Sequence, residues 1–299
     1  MIRGRHLELF ARHSVRHSVR GGAGLIAIFA TILVGLIMAS IVISPLEAVD
    51  RQIAVSGDNL DAAQVQQYKE HAREEVSKIA KKAMGWAMGA SDAQVDYLAN
   101  EKPATISAIL VLLIVVTPLF ACLGGFNQTS GDIATRGLRY LLIRTERPNI
   151  FLGRFIGTAL FMICVYALLF AVLALYIGLK IHVHPTGEMM LWLAGGYLRL
   201  LLFSLPYTAM CAWLSGSIDS PFGTLVLALA VTYVWPLFVA IGSAQQQAFS
   251  YLSYLTPWGY KWWLFSEKPW LVALGALVML AFTALLMWVG LSRFKKRDL

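Results

Sequence analysis

Few side chains in this sequence combine type and spacing in a way that allows chemistry. Arg199 is the most conspicuous: it lies about 11 residues into a long apolar stretch. An arginine at the centre of a bilayer costs at least ~2.5–3.5 kcal/mol, so it must face a helix bundle, water, a partner chain or an anionic cargo. Two histidine pairs have metal-like spacing, His13 with His17 and His182 with His184. The first has no acidic or cysteine partner near it, and the second has only Glu188, so neither reads as a metal site. Cys122, Cys164 and Cys211 each sit in an apolar run, where cysteine acts as a small packing residue. There is no GxxxxGK[ST] phosphate loop, no HExxH and no GxSxG. The long apolar stretches contain no Asp or Glu away from their ends, and such carboxylates carry proton relays and sodium sites. Catalysis in this chain, and self-contained proton coupling, are therefore disfavoured.

The elements that position these residues follow from composition. Of the 299 residues 58% are hydrophobic and 14% charged, and the mean hydropathy is +0.64. Soluble globular chains have roughly 45–50% and 25%. Six stretches are long enough for the ~20 residues that a helix needs to cross a bilayer: residues 22–44, 104–126, 155–179, 189–218, 221–243 and 269–292. An open sheet would leave its edge groups unpaired in lipid. The expected fold class is an all-α polytopic membrane protein with six transmembrane helices.

Charge gives the orientation. With both termini inside, residues 1–21, 127–154, 219–220 and 293–299 carry 14 basic and 5 acidic side chains. The outer segments 45–103, 180–188 and 244–268 carry 10 basic and 12 acidic ones. This is the positive-inside pattern, so the net charge of +8 is a topology signal rather than a nucleic-acid footprint. The expected location is the inner cell membrane, multi-pass, with both termini cytoplasmic.

Three polar or interfacial segments remain. Residues 1–21 hold RHSVRHSVR, which aligns Arg12, Arg16 and Arg20 on one helix face, as in a basic interfacial helix. Residues 46–103 form an external insert, expected to be a helical hairpin whose second helix starts at Ser91 and ends before Pro103. Residues 245–267 crowd Tyr254, Trp258, Trp262 and Trp263 around Pro257 and Gly259. They read as an aromatic interfacial belt, or as a re-entrant pair of short helices that gates a pathway.

The cytoplasmic loop 127–154, with the sequence TSGDIATRGLRYLLIRTERPNIFLGR from Thr129, carries a short charged helix between two spans. Such a helix suits docking to a cytosolic partner, or serves only to fix topology. It resembles the signature of type-2 ATP-binding-cassette (ABC) exporter permeases. Asp132 stands at the acidic position, Gly137-Leu138 at the Gly-Leu step and Leu141-Leu142 at the Leu pair; Arg147 keeps the distance to Gly153, and Arg154 replaces a Lys. The family's Pro before the Arg is absent; Pro148 follows it instead. Six spans, the external insert and the WLSGSIDSPFGT junction also fit that family.

The resemblance implies an export permease with no cofactor of its own, driven by a separate cytosolic ATPase in two copies that binds ATP and Mg. It also implies a second permease copy, a homodimer being the expected form. Asp132, Arg136, Gly137, Leu141, Leu142, Arg147 and Gly153 would couple to the ATPase. Arg199 would touch cargo, and Tyr254, Trp258, Trp262 and Trp263 would form the external gate. The rival reading is a membrane scaffold or sensor whose external insert binds a periplasmic or envelope protein. Beyond the lipid bilayer, no nucleic-acid partner is expected.

Overall fold

The computed structural model describes residues 8–9, 11–16, 22–56, 74, 78, 81, 92–180 and 186–297. Most of these residues are helical, with no strand among them. The long elements are α1 (Gly22–Ser56), α3 (Ala104–Gly125), α6 (Arg147–Lys180), α7 (Thr186–Ser217), α8 (Pro221–Leu229) and α10 (Pro269–Lys296). Short helices α2 (Asp92–Asp96), α4 (Ser130–Ala134) and α5 (Gly137–Arg144) lie between them. Helix α8 passes through a π turn, Ala230–Val234, into α9 (Trp235–Gln245). Two 3₁₀ helices, Gln247–Leu255 and Pro257–Phe265, precede α10. Six helical segments are long and apolar enough to cross a membrane. This is an all-α polytopic membrane protein.

Two span boundaries differ from expectation. The first helix runs to Ser56, beyond the apolar run that ends at Ser44. Hydropathy marks where a chain leaves lipid, whereas a helix continues as long as its backbone bonds are satisfied. The third helix begins at Arg147, eight residues before the expected start at Phe155. Pro148 in its first turn needs no N–H partner there. The remaining spans agree within a few residues. The second short helix of the insert does end before Pro103, through the π turn Tyr97–Glu101 and an extended Lys102. Residues 57–73 and the cap residue Ser91 lie outside the described residues, as do His17, Arg20, His182 and His184.

The chain divides into two compact units. One comprises residues 1–30, 117–166 and 199–299; the other comprises residues 31–116 and 167–198. In the smaller unit, Trp192 packs edge-on against Tyr97 at 6.5 Å and donates from Nε1 to Ser107 Oγ at 3.1 Å. The Lys102 ammonium lies 5.5 Å from both ring centroids, and Lys81 pairs with Asp96 at 2.8 Å.

The larger unit has a core of Leu138, Ile150, Phe151, Ala209, Ala212, Met287 and Phe294. Close approach of α7 and α10 there needs Gly290, because a Cβ would stand 3.1 Å from the Trp213 backbone and 2.8 Å from Phe151. Pro118 interrupts the hydrogen-bond ladder of α3. Tyrosines serve the backbone on both sides of it: Tyr166 Oη donates to the Thr117 carbonyl at 3.3 Å, and the Leu119 N–H donates to Tyr233 Oη at 3.1 Å. Tyr233 belongs to the π turn, which precedes Pro236. A widened turn absorbs the hydrogen bond that the proline cannot donate.

The N-terminal residues 11–16 are helical. Ala11 and Ser14 are buried, whereas Arg12, His13 and Arg16 are exposed. Ser14 Oγ donates to the Arg154 carbonyl at 3.5 Å, so this helix docks on the start of α6.

Candidate functional site

The loop between the second and third spans is built as a braced platform. At its start, the Ser215 hydroxyl of α7 accepts from the backbone N–H of Thr129 (2.6 Å) and of Ser130 (3.0 Å), and it also bonds Thr129 Oγ1 (2.9 Å). Those N–H groups are orphan donors at the entry to α4, and a buried hydroxyl supplies their acceptor. Gln128 Nε2 donates to the Thr208 carbonyl at 3.1 Å.

Asp132, in the first turn of α4, forms an ion pair with Arg154. Arg154 is only 4% exposed, so Asp132 neutralises a cation that water cannot reach. Between α4 and α5 the chain reverses through Arg136, whose φ of 57° and ψ of 10° place it in the left-handed region. Its side chain is exposed, and Gly137 follows at once. Gly153 is buried within α6.

Helix α5 has two faces. Leu138 is buried in the core, and Leu141 and Leu142 pack against the same core. The opposite side presents Arg139, Tyr140 and Ile143; Tyr140 is 76% exposed and Ile143 is 82% exposed. The Leu pair thus anchors the helix from beneath rather than forming its outward surface. The i, i+3, i+4 spacing of Leu138, Leu141 and Leu142 was the signal for this anchor. Tyr140 and Ile143, three residues apart, were the signal for the exposed pair.

Arg147 is not in α5 at all. It starts α6, and its Nη1 donates to the carbonyls of Lys295 (2.8 Å), Arg297 (2.5 Å) and, more weakly, Phe294 (3.5 Å). A cation at the carbonyl end of α10 suits both the orphan acceptors and the helix dipole. Arg297 continues the chain of contacts, donating to the Gly216 carbonyl at 2.6 Å and pairing with Asp219. Ser220 then caps α8, accepting from the Gly223 N–H at 3.2 Å. Sequence reading found the loop arginines, but it missed that Arg147 and Arg297 tie three helix ends together.

The aromatic segment forms a hairpin of two 3₁₀ helices. Its turn needs Gly259, since a Cβ there would lie 2.5 Å from the Ser253 carbonyl oxygen. The Trp258 ring lies 6.2 Å from that of Phe203. Phe203 is 17 residues from the start of α7 and 14 from its end. The hairpin tip therefore packs against the middle of α7 rather than at its end. Tyr254 and Trp263 both pack edge-on against Tyr260, at 5.5 and 4.9 Å.

Lys261 was not singled out from the sequence. It is buried, with its ammonium 4.4 Å from the Trp258 ring and 6.0 Å from that of Trp262. Three residues make one turn of a 3₁₀ helix, so Trp258 and Lys261 share a face; the Trp-x-x-Lys spacing was the available signal. Burial pushes the lysine pKa down to about 8. Arg199 lies half-buried, its guanidinium carbon 5.7 Å from the Phe265 ring of the same 3₁₀ helix.

Beside the hairpin tip is a cleft of about 220 Å³, lined by α7 from Pro206 to Trp213, by the π turn and Pro236, by residues 255–258 and by Phe282, Leu285 and Leu286 of α10. Two buried donors on its wall, Tyr207 Oη and Trp213 Nε1, have no hydrogen-bond partner among the described residues. No group of three or more His, Cys, Asp or Glu that could hold a metal occurs among the described residues. The three cysteines are free thiols, Cys122 and Cys211 buried and Cys164 exposed.

No protein-family model and no curated protein sequence matches this chain.

Proposed function

We propose that this chain is the transmembrane permease subunit of an ATP-driven exporter of the type-2 ABC kind. The observation that carries this reading is α5. A short helix outside the six spans holds its leucine face in the core and presents Tyr140 and Ile143 to solvent among arginines. Large apolar side chains flanked by arginine, on a rigid base, are what a partner groove grips. The ATPase would bind ATP and Mg; this chain supplies the lever. Force applied to α5 passes through the Leu138 anchor and the Asp132–Arg154 pair into α6, and through Arg147 into α10. The aromatic hairpin, with Tyr254, Trp258, Trp262 and Trp263, would respond as the gate.

The test is a mild-detergent pull-down of the tagged chain from its native membrane, with mass spectrometry and an ATPase assay. The expected result is a cytosolic ATPase at equal stoichiometry. It should be lost in Tyr140→Ser/Ile143→Ser while the variant stays in the membrane at parental thermal stability, because both side chains are exposed. Recovery of envelope proteins without an ATPase would overturn the permease reading in favour of a scaffold or sensor.

A further inference from the structure

One exposed cation, Arg293, reaches a residue of the cleft wall. Among the loop and C-terminal arginines, Arg154 pairs with Asp132, Arg297 pairs with Asp219, and Arg147 is held by three carbonyls. Arg293 is exposed, and its contact on the protein is the Trp213 ring, with the guanidinium carbon 5.7 Å from the centroid. No carboxylate among the described residues pairs with it. Trp213 is also a wall of the cleft, and its Nε1–H is one of the two buried donors without a partner. A buried donor left unsatisfied costs about 1–3 kcal/mol, so an acceptor there would be strongly favoured.

The arrangement has a direction. Trp213 lies four residues from the end of α7, and Arg293 three from the end of α10. Those two helix ends are joined by Arg297, so they lie at the same level. Moving away from them, the wall becomes mostly apolar through Met210, Leu286 and Leu285, with Tyr207, Thr232 and Thr256 as its polar residues, and is closed by Leu255 and Trp258 of the hairpin tip. Its volume exceeds the ~150 Å³ that admits a benzene-sized apolar guest. An exposed cation, then a buried donor, then an apolar slot, all within one unit of the fold, matches an amphiphile read from head to tail.

We propose that this cleft holds one anionic glycerophospholipid from the leaflet at the C-terminal ends of α7 and α10. Arg293 meets its phosphate, Trp213 Nε1 donates to an ester carbonyl, and one acyl chain fills the slot beneath the hairpin tip. A zwitterionic lipid would satisfy the tryptophan and the slot but gain less from the cation. The site would bind a structural or regulatory lipid that stiffens the packing of the hairpin on α7 and α10. It rests on the membrane character of the chain and not on the ATPase reading.

The test uses the purified full chain in detergent, titrated with phosphatidylglycerol or phosphatidylcholine of identical acyl chains, with retained lipid read by native mass spectrometry. One phosphatidylglycerol should be retained with about fivefold preference, the ratio that one cation near an anionic group supplies. Arg293→Gln, at an exposed position that leaves the fold intact, should bring the preference close to one. Trp213→Phe should weaken retention of both lipids. Equal retention of the two lipids by the parent chain would overturn the proposal, as would an undiminished preference in Arg293→Gln. A second copy of the chain seated on this face, with lipid lost as dimer forms, would also overturn it.

Discussion

At the scale of single residues, the charges of this protein differ by what neutralises them. Arg154 is buried beside Asp132, and Arg147 is held by carbonyls at a helix end. Lys261 has neither; it lies between tryptophan faces, which stabilise a cation but do not neutralise it. Its pKa is lowered to about 8 from the ordinary 10.5. The consequence for stability has a definite sign. Below about pH 8 both the folded and the unfolded chain hold the proton, and the full cost of burying the charge is present. Between about 8 and 10.5 the unfolded chain binds the proton and the folded chain does not, so stability rises with pH. Lys261→Met should therefore stabilise the chain at pH 7 by roughly 3 kcal/mol, the free energy of such a shift. Its advantage over the parent should fade by pH 10.5, as read from thermal midpoints in a zwitterionic detergent. A pH-independent difference would show that Lys261 is solvated. Arg199 was legible in the sequence as an isolated charge, whereas Lys261 was masked by its aromatic neighbours, which read as an interfacial belt.

At the scale of elements, the loop helices are positioned by groups far away in sequence. Ser215 on α7 accepts both N–H groups at the entry to α4. Ser215→Ala leaves two buried donors without this acceptor, and it should destabilise the chain by about 1–3 kcal/mol or more. The measurement is the thermal midpoint of the purified variant, with Ser217→Ala, whose hydroxyl only back-bonds within α7, as the near-neutral comparison. The faces of α5 show how far element-level reading reaches. Its existence and its amphipathic spacing were plain, and Leu141-Leu142 were expected to take part in coupling. Which face turns inward depended on the core of α6, α7 and α10, and that core took the leucines.

At the scale of the whole molecule, six helical segments among the described residues are long and apolar enough to span, and an even number of crossings would leave both termini on one side. The excess of basic side chains in the loops on that side is the basis for proposing that it faces the cytoplasm. Cysteine labelling checks this with a membrane-impermeant maleimide in a Cys164→Ser background, whose two remaining thiols, Cys122 and Cys211, are buried. Glu267→Cys, in an exposed position before α10, should label in intact cells. Ser217→Cys, at the exposed end of α7, should label only after permeabilisation. The reverse pattern would invert the orientation and place α5 out of reach of any cytosolic ATPase.

The sequence by itself determined the number of spans, the class of fold and the short helix between the second and third spans. These follow from local quantities: hydropathy over ~20 residues, helical periodicity and the count of Lys and Arg. Only the tertiary structure decided that Asp132 belongs to Arg154, that Arg147 closes the end of α10, and that the aromatic hairpin packs against the middle of α7. Each of those joins residues from separate helices. Their partners are chosen by which surfaces pack, a long-range outcome that no local window of sequence contains.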